Sequence, residues 1–138
     1  MLINIWAVIL SALVSFGLGW LWYSNKMFGQ KWRALAGYTE EMHQQYMAEG
    51  KPKMRKTMAI YFVSLFFMAY VLAYAVMLAD VYSVIDAIRL TVFVSLGFVL
   101  FSSVGTVLWH RRPWKLYYIE FGYMTSAVLV SSIILALW

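Results

Sequence analysis

Four apolar runs, at about residues 2–23, 57–79, 87–109 and 116–138, leave this 138-residue chain little choice of fold. Each is close to the roughly 20 residues that a helix needs to cross hydrocarbon. Backbone groups in lipid find no water, so a run of this length must bond its own N–H and C=O groups as a helix. Short links after the second and third runs make neighbouring helices antiparallel. The expected fold is therefore all-α: one integral membrane domain over 1–138, an antiparallel bundle of four transmembrane helices. Composition points the same way. Hydrophobic residues make up 64% of the chain and charged residues 12%, where a soluble domain has about half and a quarter. The first run has no Lys or Arg before it and exceeds the roughly 7–15-residue core of a signal peptide. It reads as a retained first span.

The end of that first span is the most distinctive stretch. Gly19-Trp20-Leu21-Trp22-Tyr23-Ser24 leads into Asn25-Lys26-Met27-Phe28-Gly29-Gln30-Lys31-Trp32. Trp and Tyr rings have an apolar body and a polar tip, which suits the headgroup depth of a bilayer. Trp20, Trp22, Tyr23, Trp32, Trp109 and Trp114 are expected to be interface anchors. The pattern Trp22-Tyr23-Ser24, then Phe28-Gly29, then Trp32, following Gly17 and Gly19, resembles the bacterial membrane family catalogued as domain of unknown function 1761. The resemblance covers the whole chain in plan: a first span, this motif, a basic loop, then three more spans. It implies a four-span fold in a bacterial membrane. It implies no activity.

The loop from Ser24 to Lys56 is the only segment long enough for structure outside the bilayer. Thr39 is placed to cap a short helix running to about Glu49, with Glu40 and Glu41 in its first turn and Gly50 ending it. Met42, Tyr46 and Met47 would share one face, as befits a helix lying on headgroups. Lys51, Lys53, Arg55 and Lys56 follow and are expected to contact lipid headgroups and anchor the next span. Ten of the eleven Lys and Arg residues lie in this loop or in His110–Lys115, and only Arg89 lies at the other face. Positive charge is retained on the cytoplasmic side. Both basic loops, with the short interfacial helix, should therefore be cytoplasmic and both termini outside, in a bacterial inner membrane. The net charge of +5 then serves a membrane surface, with no nucleic-acid partner expected.

Within the first span, Ala7, Ser11, Ser15 and Gly19 recur every fourth residue and form one ridge. Small residues at this spacing let helix backbones approach closely in lipid. The ridge predicts helix packing without saying which helix is the partner. The second half of the third span, with Ser95, Ser102, Ser103, Gly105 and Thr106, is also small and hydroxylated.

Chemistry is sparse. Glu120 is the one acid well inside a span, and an ionisable group there is a functional candidate. It can carry a proton or cation, or pair with Arg111, Arg112 or Lys115 near the interface. Arg89 can pair with Asp86 three residues earlier. His43 and His110 have no further ligands at metal or haem spacing. Cysteine is absent, which removes thiolate catalysis and cysteine metal sites. No phosphate loop, zinc motif or matched Ser-His-Asp set occurs. No cofactor and no catalytic residue are expected. Two classes remain: a self-associating, non-enzymatic structural or interaction protein, alone or in a larger membrane complex, and a small oligomeric transporter or channel using Glu120.

Overall fold

The computed structural model describes residues 2–138. Among these residues the fold is all-helical, and four helices are long and apolar enough to cross a membrane. We number them with the two short helices between: α1 (Ile5–Trp22), α2 (Gly29–Ala36), α3 (Glu40–Ala48), α4 (Lys51–Leu78), α5 (Val84–Leu108) and α6 (Trp114–Leu137).

Local chemistry sets most boundaries. Asn4 caps α1, its Oδ1 accepting from the amides of Trp6 at 3.0 Å and Ala7 at 3.4 Å. Thr39 caps α3, accepting from the Met42 amide at 3.2 Å, and Ser83 caps α5 through the Asp86 amide at 3.1 Å. Asp86 also receives the Arg89 guanidinium at 3.0 Å. Pro113 stands at the N-terminal boundary of α6.

Two boundaries differ from those expected. The loop holds a second helix, α2, and α4 is already helical at Lys51 rather than Thr57. Gly50, at φ 89°, turns the chain sharply after α3. Pro52 then stands where its fixed φ favours a helix start and its missing N–H costs nothing. Lys53 adds an ion pair to Glu49 at 2.5 Å. Lys51, Lys53, Arg55 and Lys56 are thus on the first turns of a long helix, all exposed.

The last helix is the hub. It packs against α1, α4 and α5, and α2 touches its first half. Leu2, Asn4, Ala73, Val76, Leu135 and Trp138 meet around one cleft. The start of α1 therefore lies beside the ends of α4 and α6, so α1 is antiparallel to both. At that same end Ala87 of α5 packs with Val76, Val81, Ile133 and Ala136. Because Asp80 and Asp86 lie there, we call this the acidic end, and the other, with α2 and α3, the basic end.

The third span is not a regular helix. From Ser95 to Leu100 it is a π-helix, and Phe101 N–H bonds the Leu96 carbonyl five residues back. The hydrogen-bond ladder changes again at Val104, whose backbone stays right-handed helical, before the regular pattern resumes at Gly105. Ser102 donates to the Phe98 carbonyl at 2.5 Å, Ser103 to those of Val99 and Leu100, and Thr106 to that of Ser103 at 2.8 Å. Such back-bonding competes with the helical ladder and bends helices.

Candidate functional site at the basic end of the bundle

The motif between α1 and α2 folds into an elbow. Phe28 N–H bonds the Trp22 carbonyl at 3.0 Å, Gly29 N–H bonds the Ser24 carbonyl at 3.0 Å, and Ser24 Oγ donates to the Leu21 carbonyl at 2.6 Å. Gly29 is required because any Cβ there would press on the Tyr23 carbonyl and stand 2.7 Å from that of Ser24. Both are backbone atoms that cannot step aside.

The elbow turns three aromatic rings toward α6. Trp22 Nε1 donates to the Ile119 carbonyl at 3.1 Å. Its ring covers Gly122, where an added Cβ would lie 2.9 Å from Cζ2. Phe28 packs on Trp22, with centroids 4.8 Å apart. Tyr23 sets its ring edge-on to both Trp32 and Tyr123. Trp32 donates from Nε1 to Glu120 Oε1 at 3.3 Å. The expected anchors thus divide. Trp20, Trp109 and Trp114 are exposed toward the surroundings, whereas Trp22, Tyr23 and Trp32 are half-buried against α6.

Glu120 sits where this elbow meets α6. Arg112 grips it with two bonds, Nη2 to Oε1 at 2.7 Å and Nη1 to Oε2 at 3.1 Å. Two parallel bonds of this kind fix geometry as well as charge. With Trp32, both carboxylate oxygens are engaged. Of the three cations considered from sequence, Arg112 holds the carboxylate. Arg111 and Lys115 point to the exposed side. Arg111 takes a left-handed backbone at φ 54°, which turns the chain between α5 and α6.

Next to this ion pair runs a hydroxyl chain, buried at Tyr123 and Ser15, that joins three helices. Tyr61 of α4 donates to Tyr123 Oη of α6 at 2.8 Å, and Tyr123 donates to the Ser15 carbonyl of α1 at 3.0 Å. Ser15 Oγ meets Ser131 Oγ at 3.1 Å. Ala7, Ser11, Ser15 and Gly19 are all buried, and the contacts of Ser15 and Gly19 identify α6 as the helix on this ridge. Gly19 leaves room for the Tyr123 hydroxyl, which would lie 2.8 Å from an added Cβ.

His43 contacts the Tyr38 hydroxyl at 3.4 Å through Nδ1, and His110 is exposed in the α5–α6 link. Among the described residues, no three His, Asp or Glu side chains group as metal ligands do. Two clefts, of about 290 and 330 Å³, lie at the acidic end, and neither is lined by Glu120 or Arg112. Sequence reasoning missed the inward turn of the Trp22 and Trp32 rings. The Gly122 gap opposite Trp22 and the carboxylate of Glu120 opposite Trp32 were its available signals.

The profile of a family described as protein of unknown function, DUF1761, matches residues 6–136. Neither a curated protein nor a solved structure matches the chain.

Proposed function

The chain belongs to the DUF1761 family, whose function is unknown, and from that premise we propose that it is a non-enzymatic membrane structural or interaction protein that associates with itself. The engaged state of Glu120 carries this reading. A carboxylate that relays protons or cations must release its partners. Here it is held by both guanidinium nitrogens of Arg112 and by the Trp32 indole. Its role is to lock the elbow and the α5–α6 link onto α6. The lipid bilayer and a second copy are the proposed partners, with a larger membrane complex as the setting. The proposed location is the bacterial cytoplasmic membrane, with the basic end inside and both termini outside. Lys51, Lys53, Arg55 and Lys56, exposed along the first turns of α4, suit contact with anionic headgroups.

The test is flux of protons and alkali cations in proteoliposomes carrying wild type or Glu120→Gln. The expected result is no flux in either and a modest loss of stability in the variant. A wild-type flux abolished by the substitution, with folding intact, would replace this reading with transport through Glu120. Orientation is tested separately in this cysteine-free chain. A cysteine at Ser83 should react with an impermeant reagent outside intact cells, and one at Gly50 should not.

A further inference from the structure

We propose that α5 is a jointed helix whose half at the basic end, Gly105–Leu108, swings as a unit about Ser95–Val104, with Tyr117 of α6 as its latch. Three independent features converge on that segment. The backbone changes hydrogen-bond pattern twice, at the π-helix of Ser95–Leu100 and at Val104. The hydroxyls of Ser102, Ser103 and Thr106 already bond the carbonyls of Phe98, Val99, Leu100 and Ser103. The buried Ser95 hydroxyl, at the other edge of the π-helix, has no partner.

These hydroxyls decide whether bending is permitted. An unbonded carbonyl in hydrocarbon costs several kcal/mol, which normally forbids a spanning helix to bend. In this segment the carbonyls have side-chain donors at hand. A change in bend exchanges one donor for another instead of exposing an acceptor. Ser95 is a donor in reserve for the straightened state. Gly97, inside the π-helix, and Gly105, just past Val104, lower the helical preference there.

The latch is explicit. Tyr117, buried in the first turn of α6, donates its hydroxyl to the Leu100 carbonyl at the last residue of the π-helix. Beyond it, Phe101, Leu108 and Trp109 are exposed. In its most apolar window α5 buries only 17% of its residues inside the protein, against 33% for α1. Besides Tyr117, the half at the basic end is held by the buried side chain of Val107 and by its tether to Arg112, whose N–H bonds the Thr106 carbonyl at 3.3 Å. Its release uncovers Leu116 and Tyr117, one turn before Glu120, and changes the surface offered to a neighbouring helix.

The joint is tested with spin-label pairs on the cysteine-free chain in lipid. One pair, Leu108 and Tyr118, spans the moving half and α6. A second, Val92 and Val130, spans the fixed half. In wild type the first pair should give the broader distance distribution. Tyr117→Phe keeps the ring and removes one interhelical hydrogen bond, which should raise the ratio of long to short distances about threefold for the first pair only. A first pair as narrow as the second, and unmoved by Tyr117→Phe, overturns the joint. A broad first pair that ignores Tyr117→Phe overturns the latch. A second variant, Ser102→Ala with Ser103→Ala, withdraws the side-chain donors and should narrow the first pair. An unchanged width there overturns the role given to the hydroxyls.

Discussion

Both α1 and α5 pack along α6, and both are rich in small hydroxylated residues, yet they do opposite things with them. In α1 the hydroxyl of Ser15 points across the interface to Ser131, and Gly19 admits the Tyr123 ring. The helix stays regular over Ile5–Trp22 and lies flush on its neighbour. In α5 the hydroxyls of Ser102, Ser103 and Thr106 turn back on their own backbone, and the helix changes pitch. Lipid supplies no hydrophobic drive between helices, so association rests on close packing and a few hydrogen bonds of about 0.6 kcal/mol each. A Ser or Thr in a span therefore carries no fixed meaning. What matters is whether a neighbouring backbone comes near enough to take its proton.

This contrast can be broken by substitution. The largest effect is expected for Ser15→Leu, which forces a branched side chain into a fully buried contact and removes the Ser131 bond. Overpacking of this kind costs about 1–3 kcal/mol, seen as a large drop in melting temperature in detergent. Leu13→Phe, on the exposed face of α1, should leave melting nearly unchanged, and equal behaviour of the two would show that the ridge is incidental. Next comes Gly122→Ala, whose methyl meets the Trp22 ring at 2.9 Å. We expect about 1 kcal/mol of destabilisation, together with a change in Trp fluorescence as the ring is displaced. Unaltered fluorescence would separate the motif from α6. Glu120→Gln follows, at about 0–1 kcal/mol because the pair with Arg112 is one-third exposed and so screened. Smallest is Gly97→Ala. An added Cβ there meets nothing within 4 Å, so melting should stay level or rise slightly, since Ala is the better helix former. A marked loss would mean that the α5 surface is already covered by another helix, and would sharpen the case for self-association.

Spans, the Thr39 cap and charge distribution were legible because each is local. Thr39 and Glu40–Glu41 mark the start of α3 within four residues, and the spacing of Ala7, Ser11, Ser15 and Gly19 is visible in one helix. The identity of the ridge's partner was not, since Ser131 lies 116 residues away. The aromatic motif was half legible. Its composition places it at a membrane interface, but the direction of the Trp22 ring depends on a gap at Gly122 in another helix. The π-helix was hidden for a different reason. Hydropathy counts apolar residues along the run and is blind to whether a carbonyl is taken by an amide or by a serine. Glu120 stands out in the sequence as the one acid well inside a span. Its choice of Arg112 over Arg111 and Lys115 depends on the left-handed turn at Arg111, which no periodicity signals.

The seam between α1 and α6 also has a consequence for how the protein is made. The ribosome delivers α1 first and α6 only after α4 and α5, so the two surfaces with the tightest fit meet late. Until α6 enters the bilayer, the Ser15 carbonyl and hydroxyl have neither Tyr123 nor Ser131, and Tyr61 has no phenol to bond. The hydroxyl tie across three helices can then close in one step, when Tyr123 arrives between Tyr61 and Ser15. Insertion of this chain is sequential, but its assembly has to wait for α6.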